Sequence, residues 1–317
     1  MAPLSATALA PVNTGSGLLL YFQSRDNKIF EVASQDGSSW NLRQEPIVED
    51  CRSWGSPITA YYNRQDADYD DQETVHLLYV NSDNKLIELY RLVNPEQQVK
   101  KEEEWTPIPS EVINTHEPTE TSHLCSGSVL GSPVIHRVKD QFVYYESQSG
   151  SNLNFTELWR NPKSPWYIQT VLPGQEDQEP GTDLTCIIKS AHLRLFVQDH
   201  AKNIRMWENI RGWEDKGVQV DQKEVSAQAC FAAASVGPSG SDDEHLVFSS
   251  SGTPAQIKHF FDDQVSETGV EFWEGTRLGL VNSGDQIILF YMDVHDYKLK
   301  TRVYEQGSWK KGVTVVE

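Results

Sequence analysis

Five pairs of residues stand at or just ahead of short stretches rich in small or apolar residues: Arg52 and Trp54, His123 and Cys125, Asp183 and Thr185, Gln228 and Phe231, Trp273 and Arg277. Aromatic walls with a few donors are the composition of a small-molecule pocket, apolar overall and oriented by sparse polar groups. Such a set carries no recognisable machinery for covalent or phosphoryl chemistry. The chain has no G-x-S-x-G elbow, no H-E-x-x-H, no glycine-rich phosphate loop and no dinucleotide fingerprint. Paired-carboxylate hydrolysis stays open, because acids are too numerous to single out a pair. A reaction without cofactor or metal is what remains if the pocket is catalytic.

The elements that would position these residues come from a repeat. "LLYFQSRDNKIFE" (19–31) returns as "LLYVNSDNKLIE" (77–88), two alternating strands joined through Asp-Asn-Lys. Asn and Asp tolerate positive φ and bond their own backbone, which closes a tight hairpin. The pattern recurs as "FVYYESQSGSNLNFTELW" (142–159), "LRLFVQDHAKNIRMWE" (193–208), "HLVFSSSGTPAQIKHFF" (245–261) and "IILFYMDVHDYKLKTRVY" (287–304), six hairpins in all. Tryptophan segments follow at Trp40, Trp105, Trp213 and Trp309, and more loosely at Trp166 and Trp273.

Ahead of each hairpin lies one more short strand: "ATALAPV", "GSPITAYY", "GSPVIHRV", "TDLTCIIK", "QACFAAASV" and "TRLGLVN". Small side chains suit strands that converge at an axis, and aromatics fill the widening space between sheets. The expected fold is all-β, a six-bladed β-propeller with about four antiparallel strands per blade, residues 1–317 forming one domain. "VTVVE" (313–317) should help close the ring. A β-sandwich with chance likeness among hairpins is the competing reading. The ring of paired residues then falls at one mouth of the central channel. Each member also has a purely structural reading: Trp54 and Trp273 as filler between blades, the arginines as ties to carbonyls, His123 as a bonded core histidine and the cysteines as core.

With 27 Lys and Arg against 46 Asp and Glu the net charge is −19, a field that opposes nucleic acid. Much of the acid sits in "RQDADYDDQE" (64–73) and "GQEDQEPGTD" (174–183), where solubility is the plain reading; a calcium site in the first stays open as an alternative, since oxygen-rich loops can wrap a hard cation, although it lacks the spacing of a known calcium loop. Four scattered cysteines suggest neither zinc nor a disulfide framework. No run of 18 apolar residues and no basic, apolar leader appears, so the expectation is a cytoplasmic protein without membrane contact. A homodimer stays open.

The hairpin-plus-tryptophan grammar resembles the fungal fucose-binding lectins, six-bladed propellers with sugar sites between blades, over essentially the whole chain. The resemblance implies an arginine at the head of each middle strand and a glutamate at the end of the following strand, with aromatics against the sugar's apolar face. Blade by blade the positions read Leu19 with Glu31, His76 with Glu88, Phe142 with Glu157, Arg194 with Met206, His245 with His259, and Ile288 with no acid. No blade keeps both groups by this reading, so Arg194, Glu31 and Glu88 look vestigial. A site built for hydroxyls loses orders of magnitude when its partners go unpaired.

A propeller that keeps the blades and loses the sugar arginines is similar to the hetero-Diels–Alderases of tropolone sesquiterpenoid biosynthesis, secondary-metabolism enzymes that join a quinone methide to a terpene alcohol such as humulenol. That resemblance implies small apolar terpenoid or polyketide-derived partners, His123 as the acid for a departing hydroxyl and Arg52 or Arg277 as oxyanion donors. Trp54, Phe231 and Trp273 would be walls, and Gln228, Asp183 and Thr185 further substrate contacts. The alternatives are a lectin with reduced fucosylated-glycan sites and a non-catalytic binding propeller.

Overall fold

The Asp-Asn-Lys turns behave as their side chains require. Asn27 and Asn84 both take the left-handed conformation, each with φ of 59°, and each donates its amide back across the turn, to the carbonyls of Ser24 and Asn81 at 3.1 and 3.0 Å. These turns join β2 (Leu18–Gln23) to β3 (Ile29–Ser34) and β6 (Gln72–Val80) to β7 (Leu86–Leu92) in antiparallel register. The computed structural model describes residues 2–93, 104–108, 113–128, 140–149, 152–172, 179–189, 192–236, 243–252 and 254–317.

Each hairpin gains a strand on either side. β1 (Leu9–Asn13) and β4 (Asn41–Leu42) complete the first blade, β5 (Ile58–Asp66) and β8 (Thr106–Pro107) the second. The third blade runs β9 (Leu124–Ser128), β10 (Gln141–Ser149), β11 (Asn152–Arg160), β12 (Tyr167–Val171), and the fourth β13 (Thr185–Lys189), β14 (His192–Gln198), β15 (Ile204–Asn209), β16 (Trp213–Val220). β17 (Phe231–Val236), β18 (Asp243–Ser249), β19 (Gln256–Phe261) and β20 (Gln264–Glu271) form the fifth. β21 (Gly279–Ser283), β22 (Gln286–Met292), β23 (Leu299–Glu305) and β24 (Ser308–Val316) form the sixth. The protein is a six-bladed β-propeller with four consecutive antiparallel strands in each blade among the described residues.

The innermost strands β1, β5, β9, β13, β17 and β21 pack each on the next, and β21 returns to β1. Small residues permit that convergence. At Gly279 in β21 a Cβ would lie 3.0 Å from the Pro11 ring and 3.2 Å from Leu9, so close that the neighbouring strand would have to give by a few tenths of an ångström. Farther out, tryptophans reach back to the preceding blade: Trp105 meets Tyr21 edge-on at 5.7 Å, Trp213 meets Tyr144 at 5.8 Å, and Trp40 meets Phe290 of the sixth blade at 5.3 Å. The ring closes by packing, with Val315 and Val316 in one cluster with Leu9, Leu18 and Phe22.

Two details differ from the sequence reading. The innermost strand of the third blade is Leu124–Ser128, upstream of "GSPVIHRV", which lies outside the described residues. In the fifth blade Trp273 follows the outermost strand, where Phe272 bridges Asp293, and so does not open that strand as Trp213 and Trp309 open theirs. No helix of the described residues is long and apolar enough to cross a membrane.

Pairing also fixes two distinct faces. Leu9 lies opposite Phe22 and Val12 opposite Leu19, so the start of each innermost strand and the head of each middle strand sit at opposite ends of the blade. The residues that enter the channel belong to one face, called here the entrance face, and the expected sugar positions to the other, the exit face.

Candidate functional site

At the entrance face three ring members meet. The Arg277 guanidinium contacts His123 Nε2 through Nη2 and reaches toward Asp183 Oδ2 at 3.8 Å and Cys230 Sγ at 3.6 Å through Nη1. They stand at the starts of the sixth, third, fourth and fifth innermost strands, so the cluster exists only because the ring is closed. His123, Asp183 and Arg277 border an axial cavity of about 140 Å³ whose lining also includes Cys125, Thr185 and Phe231.

The charges can be assigned. Burial works against the charge on Arg277, but Cys230 and Asp183 outweigh it and the guanidinium stays protonated to higher pH than an isolated one. Burial, then Arg277 and Arg52, hold His123 well below the usual imidazole range. Burial raises Asp183 above an ordinary aspartate although Arg277, the Phe231 amide and the Leu184 amide oppose it. His123 is thus neutral, its Nε2 accepting from Arg277, and is unsuited to the acid role expected of it. Asp183 is the group whose environment favours keeping a proton.

Other expected members stand elsewhere. Arg52 is buried and spends its guanidinium on Asn84 Oδ1 at 3.2 Å and the Gly55 carbonyl at 3.3 Å, tying the loop before β5 to the turn of the second blade. Trp54, on the same loop, is 71% exposed. Trp273 packs edge-on against Tyr297 at 5.1 Å and against the cluster that closes the ring. Gln228 is exposed at a turn with φ of 53°. Thr185 and Phe231 line the cavity, and both are bonded into the ring wall: Thr185 Oγ1 accepts from the Ala233 amide at 3.0 Å, and the Phe231 amide donates to Asp183 Oδ2 at 3.2 Å.

On the exit face the expected sugar positions are filled from within. Glu31 of the first blade pairs with Arg91 of the second at 2.8 Å, and Arg91 lies over Trp105 at 5.3 Å. Glu88 of the second blade accepts from Trp166 Nε1 at 2.7 Å, lies 2.9 Å from His76 Nδ1, and has Arg160 of the third blade at 3.4 Å. His76 in turn meets Asp66 at 2.8 Å, so this acid of the 64–73 loop points inward. Glu157 accepts from Tyr144 and, with no arginine of the described residues beside it, burial pushes its carboxyl up to about 7. His245 and His259 bond ring to ring at 2.9 Å, with Trp309 Nε1 on His259 at 3.3 Å.

The fourth blade corrects the sequence reading. Arg194 lies opposite Glu208 in the strand register, and its Nε donates to Glu208 Oε1 at 2.8 Å while Nη1 meets Glu244. Met206 does occupy the place equivalent to Glu31 and Glu88, facing Phe196 as they face Tyr21 and Leu78, but one blade does hold both an arginine and a carboxylate. Sequence reasoning also missed Arg91 and Arg160. Their signal was present in "ELYR" (88–91) and "ELWR" (157–160): residues three apart on a strand face opposite sides, so the glutamate serves the next blade and the arginine the previous one.

No family model and no curated protein matches the chain. Solved structures do match. The Aleuria aurantia lectin, in complex with Fucα1-6GlcNAc, superposes with a TM-score of 0.75 at 19% identity over 98% of this chain and 94% of that one. Similarity at this level shows the fold. AofleA from Arthrobotrys oligospora gives 0.77 at 16% identity, covering 99% and 88%, and the BP39L lectin from Burkholderia pseudomallei 0.61 at 13%, covering 96% and 82%. The fucose-lectin-like propeller is therefore the architecture on which both faces are built.

Proposed function

We propose that the chain is a cofactor-independent enzyme acting at the entrance face, of the hetero-Diels–Alder kind that its sequence resembles. The observation that carries this reading is the Arg277–His123–Asp183 cluster: one guanidinium and two ionisable partners from three blades converge on one axial cavity, 22% of the Arg277 side chain remaining exposed to it or to the mouth. A cavity of about 140 Å³ suits one small ring, since an enclosed volume of about 150 Å³ accommodates benzene. An oxygenated ring would place its oxygen on Arg277, which His123 orients. Asp183 would give its proton to the departing hydroxyl, released as water, and recover one from the ring hydroxyl, leaving a quinone methide. The cycloaddition then requires no further proton transfer and gains from holding the two partners in a reactive geometry. The terpene alcohol would lie over the mouth, on the side of exposed Trp54.

A second reading, retained sugar binding, is favoured by the Arg194–Glu208 pair and by a cavity of about 390 Å³ between the first two blades, bordered by Leu19, Glu31, Asn41 and Arg91. Against it, each of these charged groups is already neutralised by another side chain.

Incubating the protein with a hydroxymethyl tropolone and humulenol, and separately passing it over fucose-agarose, tests both. Product formed by the wild type and lost in Arg277→Ala, with no retention that free fucose reverses, supports the enzyme. Firm fucose-reversible retention lost in Arg194→Gln, without product, overturns it.

A further inference from the structure

A second cleft opens on the entrance face, away from the axis and at the opposite end of the blade from the expected sugar positions. It lies between the fifth and sixth blades, has a volume of about 490 Å³, and is bordered by Gln256, Val270, Tyr291, Lys300, Arg302 and Lys311 among others. In a chain of net charge −19 its cations are conspicuous. Lys300 is occupied by Asp293 at 3.1 Å and Asp296 at 2.7 Å. Arg302 is not: among the described residues no carboxylate or carbonyl accepts from its guanidinium, and its Nε is buried without a partner.

The strand register sharpens the point. Arg302 on β23 lies directly opposite Lys311 on β24, and like charges so placed repel. Arginines elsewhere between blades are matched, Arg91 by Glu31 and Arg160 by Glu88. The backbone also makes room for this one: Gly269 on β20 holds φ of 70°, and a Cβ there would come within 3.1 Å of Arg302 Nη2. Tyr291 is close enough to Arg302 for the guanidinium to oppose the burial that raises its phenol. An open-sided guanidinium, a neighbouring ammonium, a phenol and the apolar wall of Val270 thus surround one cleft.

We propose that this cleft binds a small organic monocarboxylate. The guanidinium fork matches a carboxylate in two parallel hydrogen bonds, Lys311 adds a second cation, and the bound anion removes the repulsion across β23 and β24. Glu271, paired with His295 at 3.2 Å, and Asp293 also border the cleft, which disfavours dianions such as phosphate.

The test is a titration of the full-length protein with benzoate at low ionic strength, followed by calorimetry, against inorganic phosphate and with potassium chloride as the ionic control. The expected result is saturable one-to-one benzoate binding, weakened at least tenfold in Arg302→Gln, less in Tyr291→Phe, and unchanged in Arg194→Gln. Without ligand, Arg302→Gln should leave the melting temperature unchanged or raised, because an unmatched charge has been removed. A structural arginine would do the opposite. Absence of saturable binding to the wild type, benzoate affinity unaffected by Arg302→Gln, a lowered melting temperature in that variant, or tighter binding of phosphate than of benzoate would each overturn the assignment.

Discussion

The two faces of this ring use the same residue types to opposite ends. On the exit face arginine and carboxylate meet across blades as complete pairs, Arg91 with Glu31 and Arg160 with Glu88, with tryptophan rings over the guanidinium groups. On the entrance face Arg277 has a neutral histidine on one side and a protonation-prone aspartate 3.8 Å away on the other. Matched pairs saturate one another and hold blades together. An arginine whose nearest partner is uncharged still has a field to offer a ligand. The difference teaches that recognising residue types at sugar positions says little about ligand binding until their partners are known.

The largest effect expected from that comparison is structural. Arg160→Ala removes the cation from a fully buried Glu88, and breaking one side of such a pair typically costs about 3–5 kcal/mol. Urea unfolding should report it as a large fall in midpoint. For the same reason Glu88→Ala is a poor control for catalysis, since it strands Arg160. A midpoint unchanged by Arg160→Ala would show that the exit-face pairs do not staple blades.

Next comes catalysis. Arg277→Ala should lower product formation about ten- to a hundredfold, as a substrate oxygen deprived of its donor costs about 1–3 kcal/mol, while Glu31→Gln, which keeps an acceptor for Arg91, should not. Arg52→Ala is now expected to act on the loop it ties and so on stability, not on the chemistry. Equal loss of turnover in Arg277→Ala and Glu31→Gln, with both folded, would move the site between the blades.

The sequence made the blades legible because hairpin chemistry is local. Asn27 and Asn84 announce their turns from side chains alone, and the convergence of small strands is a one-dimensional pattern. The membership of His123, Asp183, Thr185, Phe231 and Arg277 in one cavity was legible too, since strand order and closure dictate it. What stayed hidden depends on the third dimension. Whether Trp54 or Gln228 turns inward is set by loop paths that no period describes, and both turn out exposed. His123 is the expected acid, and what argues against that, its burial with Arg277 beside it, is not written in the spacing, nor is the burial that raises Asp183. Glu208 escaped because fixed spacing selected Met206, two residues away on the same strand.

A further effect separates the exit-face positions from one another by pH. Burial depresses His245 to about 4 and His259 to about 3. Between those values and the ordinary imidazole pKa of about 6.5 the unfolded chain binds protons that the folded chain refuses, so stability is fully present above about pH 6.5 and falls as the pH drops toward 4, by at most about 1.4 kcal/mol per pH unit and proton. His245→Phe combined with His259→Phe should flatten the melting temperature over this window. Persistence of the full slope in the double variant would assign it to other groups.

The last effect concerns Glu157, where the series of staples stops. Arg160 sits three residues after Glu157 on β11 and serves Glu88; the fourth blade has Asn209 at the position equivalent to Arg160, three residues after Met206, so among the described residues no guanidinium reaches Glu157. Burial then dominates and lifts its carboxyl to about 7, with the Tyr144 hydroxyl partly offsetting. The sign is opposite to that of the histidines: a folded pKa above the unfolded value means the folded chain binds the extra proton between about 4.5 and 7. Its contribution is most favourable below about pH 4.5 and is lost as the pH rises through 7. Glu157→Gln keeps an acceptor for Tyr144 and cannot ionise, so it should be nearly neutral at pH 5 and stabilising at pH 8, with roughly 3 kcal/mol as the upper bound set by the shift from about 4.5 to about 7. Comparing the two melting temperatures at each pH measures it, and greater destabilisation at pH 8 than at pH 5 would mean that Glu157 is anionic and matched, as Glu88 is.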